Sequence, residues 1–444
     1  MSRKYFGTDG VRGHVGKDPM TVEFALRLAS AAARVLAPNG GSVLIGKDTR
    51  LSGYLFESAL EAGFVAAGVD VNLMGPLPTP GVAYLTQRFG CDFGVVISAS
   101  HNRYEDNGIK FFDGSGGKLS DALEAQIERH LEQPATTVES ERLGRAVRTD
   151  RARSHYQDFC AATLPAGMRL DGLKIVIDCA NGAAYKVAPR VLADLGAEIV
   201  PIGCSPNGRN INDGCGSTSP ELLQLTVPGV RADVGIALDG DGDRVVMVDH
   251  LGRTVDGDQL LYVIASSRHA EASLRGPVVG TVMSNLGLER ALNELGIDFR
   301  RAAVGDRYVL EMLREMGGTL GGETSGHLLC LDRTTTGDGL VSALQVLAVM
   351  KKSGQRLAAL VARMPKYPQL MINVRVAQRL DLGSPAIATA VAACEARLGA
   401  TGRVVLRASG TEPVVRVMIE GQDEPTVRRE AEALAVVVER AARS

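Results

Sequence analysis

The chain has 444 residues, 45% of them hydrophobic, and carries 49 Lys and Arg against 51 Asp and Glu. This length corresponds to about three or four domains, and the near-neutral charge argues against a general nucleic-acid or membrane-surface binder, which needs an excess of basic residues. The opening MSRKYFGTDG contains no apolar signal core, and no apolar run approaches the roughly 18 residues of a membrane span. The seven cysteines are scattered without a CxxC pair, which argues against a disulfide framework or a zinc site. These features predict a reduced, soluble, cytoplasmic protein.

One arrangement of predicted elements occurs three times along the chain. In each unit an apolar strand precedes a helical segment, and a glycine then opens a second strand. The first strands begin at Ser42, Lys174 and Pro277, and the second strands begin at Gly68, Gly196 and Gly296. Strands that alternate with helices indicate βαβ units and largely parallel sheets.

A third predicted strand ends each unit and runs into a polar cluster. The three segments are FGVVISASHN at 93–102, DVGIALDGDGDR at 233–244 and GGTLGGETSGH at 317–327. Ligands of such sheets bind beyond the carboxyl ends of the parallel strands. The three clusters therefore predict three related α/β domains that face one cleft.

The last part of the chain has a different pattern. PQLMINVRVA and RVVLRASGTEPVVRVMIEG are typical of strands, TVRREAEALAVVVERAA is typical of a helix, and the proline-containing stretch at 363–369 is a natural linker. We predict an α/β protein with three related domains of mixed α/β sheets and a smaller C-terminal α+β domain. The predicted boundaries are 1–150 for domain 1, 151–254 for domain 2, 255–366 for domain 3 and 367–444 for domain 4.

The DGDGDR segment places Asp239, Asp241 and Asp243 at alternate positions, with glycines between them. Three adjacent carboxylates repel one another unless a cation neutralises them, and hard oxygen ligands suit Mg²⁺. The segment does not fit an EF-hand, which would have Gly in place of Arg244 and Glu in place of His250. We interpret the segment as a magnesium site, with a solvated acidic turn as the alternative.

Two further clusters suit polar ligands. The RASGTEPVVR segment combines guanidiniums, hydroxyls and a flexible glycine, which suits a phosphate cradle, and the alternative is an ordinary hairpin with surface arginines. Its polar residues and glycine are Arg407, Ser409, Gly410, Thr411 and Arg416. The GGETSGH segment offers Glu323, Ser325 and His327 on a tight turn. A carboxylate and a hydroxyl there suit paired sugar hydroxyls, and many other polar ligands as well.

Ser100 follows the apolar run of the first cluster, with His101 next to it and Lys110 ten positions on. The G-x-S-x-G elbow of a hydrolase is absent around this serine. The GSGGKLS segment approaches a nucleotide-binding P-loop but has Leu119 after its lysine, which disfavours that class. Adjacency does not make His101 a base, and we expect it to be a hydrogen-bonding residue of the loop. The remaining interpretation is a serine that carries a phosphoryl group, assisted by the metal and by a lysine such as Lys110.

Four motifs in a fixed order resemble those of the α-D-phosphohexomutase superfamily over essentially the whole chain. They are ISASHN…NGIK, DGDGDR, GGETSGH and RASGTEPVVR. The opening KYFGTDGVRG and the VGDRY segment at 304–308 are most similar to the bacterial branch that acts on glucosamine phosphates. The resemblance implies four domains arranged like a heart around a central cleft, and it implies a homodimer.

The resemblance also implies an intramolecular phosphotransferase, an isomerase that interconverts glucosamine 6-phosphate and glucosamine 1-phosphate. Phosphoserine at Ser100 would donate its phosphoryl group and form glucosamine 1,6-bisphosphate, which would turn over in the site and return its other phosphoryl group. The product would feed the synthesis of UDP-N-acetylglucosamine and cell-wall precursors. The bisphosphate, or another phosphoryl donor, would activate the enzyme. The implied ligands are sugar phosphates, and we expect neither nucleic acid nor a membrane as a partner.

Residue roles follow from the same resemblance. One Mg²⁺ per chain would be bound by the three aspartates and by an oxygen of phosphorylated Ser100. Lys110 matches the family's general acid/base, a role that requires a pKa well below that of a free lysine. Arg12 and Arg244 match arginines of the cleft, and we group His101 with these catalytic residues. Substrate contacts are implied for the sugar hydroxyls by Glu323, Ser325 and His327, and for the phosphate that is not reacting by Arg407, Ser409, Gly410, Thr411 and Arg416.

Two positions depart from the usual pattern of the family. Arg103 stands where the serine loop usually has proline, so we expect a looser backbone and a cation near the phosphoserine, and Thr324 stands where glucosamine mutases usually have Gln. A phosphomannomutase/phosphoglucomutase shares every catalytic motif and is the main alternative. A non-catalytic sugar-phosphate-binding protein would lack the serine or an aspartate, and a metal-dependent phosphatase would release free phosphate.

Overall fold

The computed structural model describes residues 4–7, 9–376, 380–408 and 413–443. The strands of domain 1 are β1 (Val11–His14), β2 (Gly41–Lys47), β3 (Val69–Pro76), β4 (Phe93–Ile97), β5 (Asp106–Asp113) and β6 (Ala146–Arg148). Its helices are α1 (Val22–Leu36), α2 (Ser52–Ala66), α3 (Thr79–Arg88) and α4 (Asp121–His130), with a short 3₁₀ helix at Ser140–Arg142. The strands form one sheet in the order β1-β5-β4-β2-β3-β6, in which β3, β2 and β4 are parallel and β5 is antiparallel to β4.

Domain 2 repeats the central part of this sheet. Its strands are β7 (Lys174–Asp178), β8 (Glu198–Ile202), β9 (Val234–Leu238), β10 (Val245–Asp249) and β11 (Thr254–Val255), the last of which lies across the predicted boundary with domain 3. Its helices are α5 (Ala152–Ala162), α6 (Ala188–Asp194) and α7 (Glu221–Gly229), with a 3₁₀ helix at Ala183–Lys186. In the order β11-β10-β9-β7-β8, strands β8, β7 and β9 are parallel and β10 is antiparallel to β9.

Domain 3 has the same arrangement in a four-stranded sheet. Its strands are β12 (Val278–Thr281), β13 (Phe299–Ala302), β14 (Leu320–Gly322) and β15 (Leu328–Cys330). Its helices are α8 (Gly257–Ala270), α9 (Leu286–Glu294), α10 (Asp306–Met316), α11 (Gly339–Ser353) and α12 (Leu357–Val361). In the order β13-β12-β14-β15, the first three strands are parallel and β15 is antiparallel to β14.

Domain 4 is smaller, and its sheet is entirely antiparallel. The strands β16 (Gln369–Arg375), β17 (Gly402–Ala408) and β18 (Val414–Gly421) pair in the order β16-β18-β17. Its helices are α13 (Pro385–Leu398) and α14 (Glu424–Arg443), with a 3₁₀ helix at Gly399–Thr401. The predicted fold class, three related α/β domains followed by an α+β domain, is confirmed. None of the helices in the described ranges combines the length and the apolar character needed to cross a bilayer.

The three polar clusters occupy equivalent places in the first three sheets. Each lies between the third parallel strand and the antiparallel strand after it: Ser100 between β4 and β5, residues 239–243 between β9 and β10, and residues 323–327 between β14 and β15. The runs FGVVI and VGIAL are buried throughout, as is typical of strands that are covered on both faces. The polar residues therefore begin where each buried strand ends and the chain reverses.

One hydrophobic core joins the first three domains, whereas domain 4 has a core of its own. The shared core contains Val82 of domain 1, Tyr156 of domain 2 and Leu344 of domain 3. A separate cluster lies between the sheet and the helices of domain 4. Domain 4 contacts domain 3 through Arg403, whose guanidinium donates to the carbonyl of Ser284 at 2.5 Å. The three turns are thus supported by one continuous core, and domain 4 is bound beside it by polar contacts.

Candidate active site

Ser100 lies in the turn after β4, fully buried, with a positive φ of 53°. This left-handed conformation is unusual for a residue other than glycine and costs about 1–3 kcal/mol, so the surrounding contacts must maintain it. The Ser100 amide donates to Ser98 Oγ at 2.9 Å, and the Ser100 hydroxyl donates to Asp239 Oδ2 at 2.6 Å. The serine predicted to carry the phosphoryl group therefore lies against the turn predicted to bind metal.

The carboxylates of Asp239, Asp241 and Asp243 are buried, and one oxygen from each lies within 4.8 Å of the others. Burial, followed by repulsion from Asp243 and Asp241, raises the pKa of Asp239 well above its ordinary value. The Oδ1 atoms of Asp241 and Asp243 are buried and have no hydrogen-bond partner among the described residues. Their burial excludes a solvated acidic turn, and crowded oxygens of this kind fit a hard divalent cation such as Mg²⁺.

Lys110 is buried on β5 in contact with three carboxylates. Its ammonium nitrogen lies 2.8 Å from Asp9 Oδ2, 2.9 Å from Asp241 Oδ2 and 3.7 Å from Asp243 Oδ2. Burial alone would lower the pKa of Lys110, but Asp241, Asp9 and Asp243 outweigh burial and raise the pKa. The expectation of a lowered pKa is therefore wrong for this arrangement, because the sequence did not reveal how many carboxylates converge on the lysine.

His101 contacts the serine through its ring. Its Nδ1 atom lies 3.4 Å from Ser100 Oγ. Burial, together with the positive charges of Arg244 and Arg12, lowers the pKa of His101 to about 4. The imidazole is therefore neutral near pH 7 and can share a hydrogen bond with the serine hydroxyl.

A cavity of about 450 Å³ lies where domains 1, 2 and 3 meet. Its lining brings together sequence-predicted residues from all three domains. These are Arg12, Asp243, Arg244, Glu323 and His327. The backbone amide of Arg244 also donates to Asp239 Oδ1 at 3.2 Å, which ties the cleft wall to the carboxylate cluster. Ser325, in contrast, is exposed.

Three charged residues that the motif analysis did not single out connect the walls of this cleft. The ammonium nitrogen of Lys118 lies 2.7 Å from Asp9 Oδ1 and 2.5 Å from Asp306 Oδ2, and His327 Nδ1 lies 3.5 Å from the same Asp306 oxygen. Burial would lower the pKa of Lys118, but Asp306 and Asp9 raise it. These residues belong to the quoted GTDG, GSGGKLS and VGDRY segments, but nothing in their spacing predicts that they converge.

In domain 4, Arg407 and Arg416 occupy paired positions on the neighbouring strands β17 and β18. Burial, and then repulsion from Arg416, lowers the pKa of Arg407. Like charges at directly opposed positions are unfavourable, so a bound anion would stabilise this pair, which supports the phosphate-cradle interpretation. Ser409, Gly410 and Thr411, the central residues of the predicted cradle, lie outside the described residues.

The two residues that depart from the family pattern have separate contacts. The guanidinium of Arg103 forms an ion pair with Asp213 at 3.1 Å, and the two side chains are 64% and 51% exposed. The charge of Arg103 is therefore paired at the surface between domains 1 and 2. The expectation that this cation lies near the serine is wrong. The hydroxyl of Thr324 donates to Asp258 Oδ2 at 2.8 Å, so this side chain is held against helix α8.

Comparison with known proteins agrees with this architecture. Models of the phosphoglucomutase/phosphomannomutase family match four successive parts of the chain: α/β/α domain I at residues 3–137, α/β/α domain II at 155–252, α/β/α domain III at 256–367 and the C-terminal domain at 371–437. The structure of a phosphoglucomutase/phosphomannomutase family protein from Burkholderia thailandensis has a TM-score of 0.82 at 23% identity and covers 99% of this chain and 98% of that one.

The N-acetylphosphoglucosamine mutase of Aspergillus fumigatus, solved in complex with GlcNAc-6P and magnesium, has a TM-score of 0.71 at 19% identity, with 99% of this chain and 96% of that chain covered. These likenesses show a shared fold, and the four domain models together show that the chain is an α-D-phosphohexomutase. Phosphoglucosamine mutases from Methylococcus capsulatus and Cellvibrio japonicus are 59% and 57% identical to this chain, covering 99% of it in both cases and 99% and 100% of the relatives. The chain belongs to the phosphoglucosamine mutase family.

Proposed function

We propose that the protein interconverts glucosamine 6-phosphate and glucosamine 1-phosphate by way of a phosphorylated Ser100. The observation that carries this proposal is the 2.6 Å contact between Ser100 Oγ and Asp239 Oδ2 within a buried carboxylate cluster. The cleft beside it contains the guanidiniums of Arg12 and Arg244, which suit an anionic substrate. The names of the relatives identify the sugar as glucosamine.

The reaction consists of two phosphoryl transfers. In the first, a sugar-phosphate hydroxyl attacks the phosphorus on Ser100, a sugar O–P bond forms, and the bond between phosphorus and Oγ breaks. The proton of that hydroxyl passes by way of Lys110 to Ser100 Oγ, and the product is glucosamine 1,6-bisphosphate. After the bisphosphate turns over, Ser100 Oγ attacks the other phosphoryl group, and the proton returns to the sugar oxygen. Phosphate is conserved over the cycle.

Four residues around the serine suit this chemistry. Lys110 is positively charged in the observed arrangement, since its pKa is raised, so it can give a proton to the serine oxygen as that oxygen leaves phosphorus. Only the neutral amine that results can take up the proton of the attacking hydroxyl. Arg12 and Arg244 would bind the oxygens of the transferring group. The neutral ring of His101 would keep the serine oxygen oriented through the 3.4 Å contact.

Asp239, Asp241 and Asp243 would hold one Mg²⁺, together with an oxygen of phosphorylated Ser100. The donor set fits the ion, because two buried carboxylate oxygens lack hydrogen-bond partners among the described residues. Burial, and then repulsion from Asp243 and Asp241, also raises the pKa of Asp239, so a cation would stabilise its charged form. When bound, the ion would offset the negative charge of the transferring phosphoryl group.

The remaining predicted residues would hold the two ends of the substrate. The carboxylate of Glu323 accepts from the Gly305 amide at 3.1 Å, which orients it within the cleft wall for the sugar hydroxyls. His327 lies beside it, and Arg407 and Arg416 would bind the phosphate that is not reacting. Domain 4 has its own core, so it can close on the substrate and open while the bisphosphate turns over.

Coupled assays with glucosamine, glucose and mannose phosphates test this function. We expect the highest kcat/KM for the glucosamine phosphates, because one lost polar contact to the sugar is worth about 1–3 kcal/mol, or roughly 5- to 150-fold. Intact-mass analysis after treatment with glucosamine 1,6-bisphosphate should show one added phosphoryl group. Preference for glucose or mannose phosphates would favour the phosphomannomutase/phosphoglucomutase alternative, and stoichiometric release of phosphate would indicate a phosphatase.

A further inference from the structure

The carbonyl groups on either side of His101 are bound by side chains from two different domains. From domain 1, the buried Arg50 donates from Nη2 to Ser100 O at 3.2 Å and to Asn102 O at 2.5 Å. From domain 2, Nδ2 of Asn212 donates to the same two oxygens at 2.9 and 2.8 Å. The backbone of the serine turn is thus held on both sides of the reactive residue.

Asn212 is fixed in a conformation that makes this contact. The backbone amide of Asn212 donates to the carbonyl of Ala180 at 2.9 Å, the φ of the residue is 56°, and the residue is only 8% exposed. Asparagine tolerates the left-handed conformation better than most residues. The orientation of the side-chain amide follows from chemistry, because only the nitrogen can donate to two carbonyl oxygens. The side chain therefore serves as a fixed donor from domain 2.

The same side chain packs against the turn that carries the aspartates. A methyl group added at Gly240 would lie 2.6 Å from Ser100 O and 2.7 Å from Asn212 Nδ2. The backbone between Asp239 and Asp241, the serine carbonyl and the asparagine amide are therefore in mutual contact. The distance from Ser100 Oγ to the carboxylates depends on this packing.

We infer that Asn212 is a positioning residue for phosphoryl transfer, which holds the backbone of Ser100 in register with the aspartates of domain 2. The inference rests on the proposed role of Ser100 as the phosphoryl carrier. Without the Asn212 amide, the two carbonyls of the serine turn keep only the Arg50 donor from domain 1, and the backbone of the turn loses its hydrogen bonds to domain 2. A displacement of about 1 Å can cost roughly 100-fold in rate.

Two substitutions in the full-length phosphorylated enzyme test this role. Asn212→Asp keeps the size of the side chain but presents an acceptor to the two carbonyls, and Asn212→Gly keeps the left-handed backbone but removes the amide. Asp213→Asn, in the same loop, is the matched control because it removes an exposed charge that pairs with Arg103 at the surface and leaves the Asn212 amide in place. We expect both Asn212 variants to lose about 10- to 100-fold in kcat per phosphorylated site while KM stays within about twofold. The control should match the parent.

Hydrogen exchange of residues 98–104 provides a second measurement, and it should be faster in the Asn212 variants but not in Asp213→Asn. The inference is overturned by parental kcat per phosphorylated site in either Asn212 variant, by a loss of kcat without faster exchange of the loop, or by an equal loss in the control. If one of the two Asn212 variants does not fold, the other variant tests the inference. An inactive parent would instead contradict the proposed function, whereas an active parent with equally active variants contradicts only the role of Asn212.

Discussion

The hydroxyl oxygen of Ser100 lies 2.6 Å from Oδ2 of Asp239, although the two residues are 139 positions apart in the chain. Ser100 follows strand β4 of domain 1, and Asp239 follows strand β9 of domain 2, so the contact joins equivalent turns of two related sheets. Both residues are buried. The proposed reactive centre is therefore formed where two domains meet, and substitution of its polar side chains leaves the apolar core intact.

Ser100→Ala should abolish mutase turnover, because no hydroxyl remains to carry the phosphoryl group. The fold should persist, since the backbone contacts of residue 100 do not involve its side chain. A coupled assay measures turnover, and intact mass after bisphosphate treatment should show no added phosphoryl group. Ser154→Ala, at an exposed position of helix α5, is the control and should behave like the parent. Parental turnover by Ser100→Ala would remove the serine from the mechanism.

Chelation of divalent cations should stop turnover, and added Mg²⁺ should restore it. Asp241→Asn should weaken Mg²⁺ binding by about tenfold or more, roughly 1.4 kcal/mol, because one of three negative charges is lost. The new amide oxygen can still accept from Thr79 and Lys110, which lie 2.7 and 2.9 Å from the present carboxylate. Calorimetric titration of Mg²⁺ into the folded protein measures binding directly, with the exposed Asp171→Asn as the control. Full activity in excess chelator would show that the aspartates are only structural.

Arg407→Ala should lower kcat/KM by tens- to about a hundredfold, because a charge-assisted phosphate contact is worth about 1.5–3 kcal/mol. More bisphosphate should escape into solution, more enzyme should be left dephosphorylated, and added bisphosphate should restore part of the rate. Arg428→Ala removes a guanidinium of the same domain that pairs with Glu424 on the surface of α14, and it should have little effect. If turnover and bisphosphate loss in Arg407→Ala match the parent, the strands carry an ordinary hairpin with surface arginines.

Asp258 should make the stability of the protein depend on pH. Burial, and then the charge of Asp256, raises the pKa of Asp258 from 3.8 to about 6. The native state therefore binds the proton more tightly than the unfolded state, so this stabilisation is complete below the unfolded pKa and is lost as the pH rises through about 6. A shift of this size corresponds to roughly 3 kcal/mol of unfolding free energy.

Asp258→Asn should remove this dependence, because the side-chain amide does not titrate. Its oxygen can still accept hydrogen bonds from the Thr324 hydroxyl and from the backbone amide of Asn285. The difference in Tm between variant and parent should therefore grow in favour of the variant from pH 4 to pH 7.5. Thermal unfolding across this range measures it, and Asp298→Asn, at an exposed aspartate of the same domain, should give a constant difference. A constant difference for Asp258→Asn as well would contradict the raised pKa.

The chemistry of the site could be predicted where it depends on residues that are neighbours in the chain. Asp239, Asp241 and Asp243 stand at alternate positions, so wherever the turn folds, their carboxylates are close together. The apolar runs before Ser100 and Asp239 predicted buried strands, and the structure confirms both. The resemblance to a known family added the reaction and the roles of residues that local patterns left open.

The sequence by itself thus determined the succession of strands and helices within each repeat, the residue types of the clusters and the family. The tertiary structure alone decided which groups surround each side chain. Lys110 has a raised pKa because carboxylates from two distant segments converge on it, and Asn212 reaches the serine turn because domains 1 and 2 share an interface. Local patterns report periodicity and chemical type. Coulombic shifts and hydrogen bonds instead depend on distances between residues far apart in the chain, which exist only once the domains have packed.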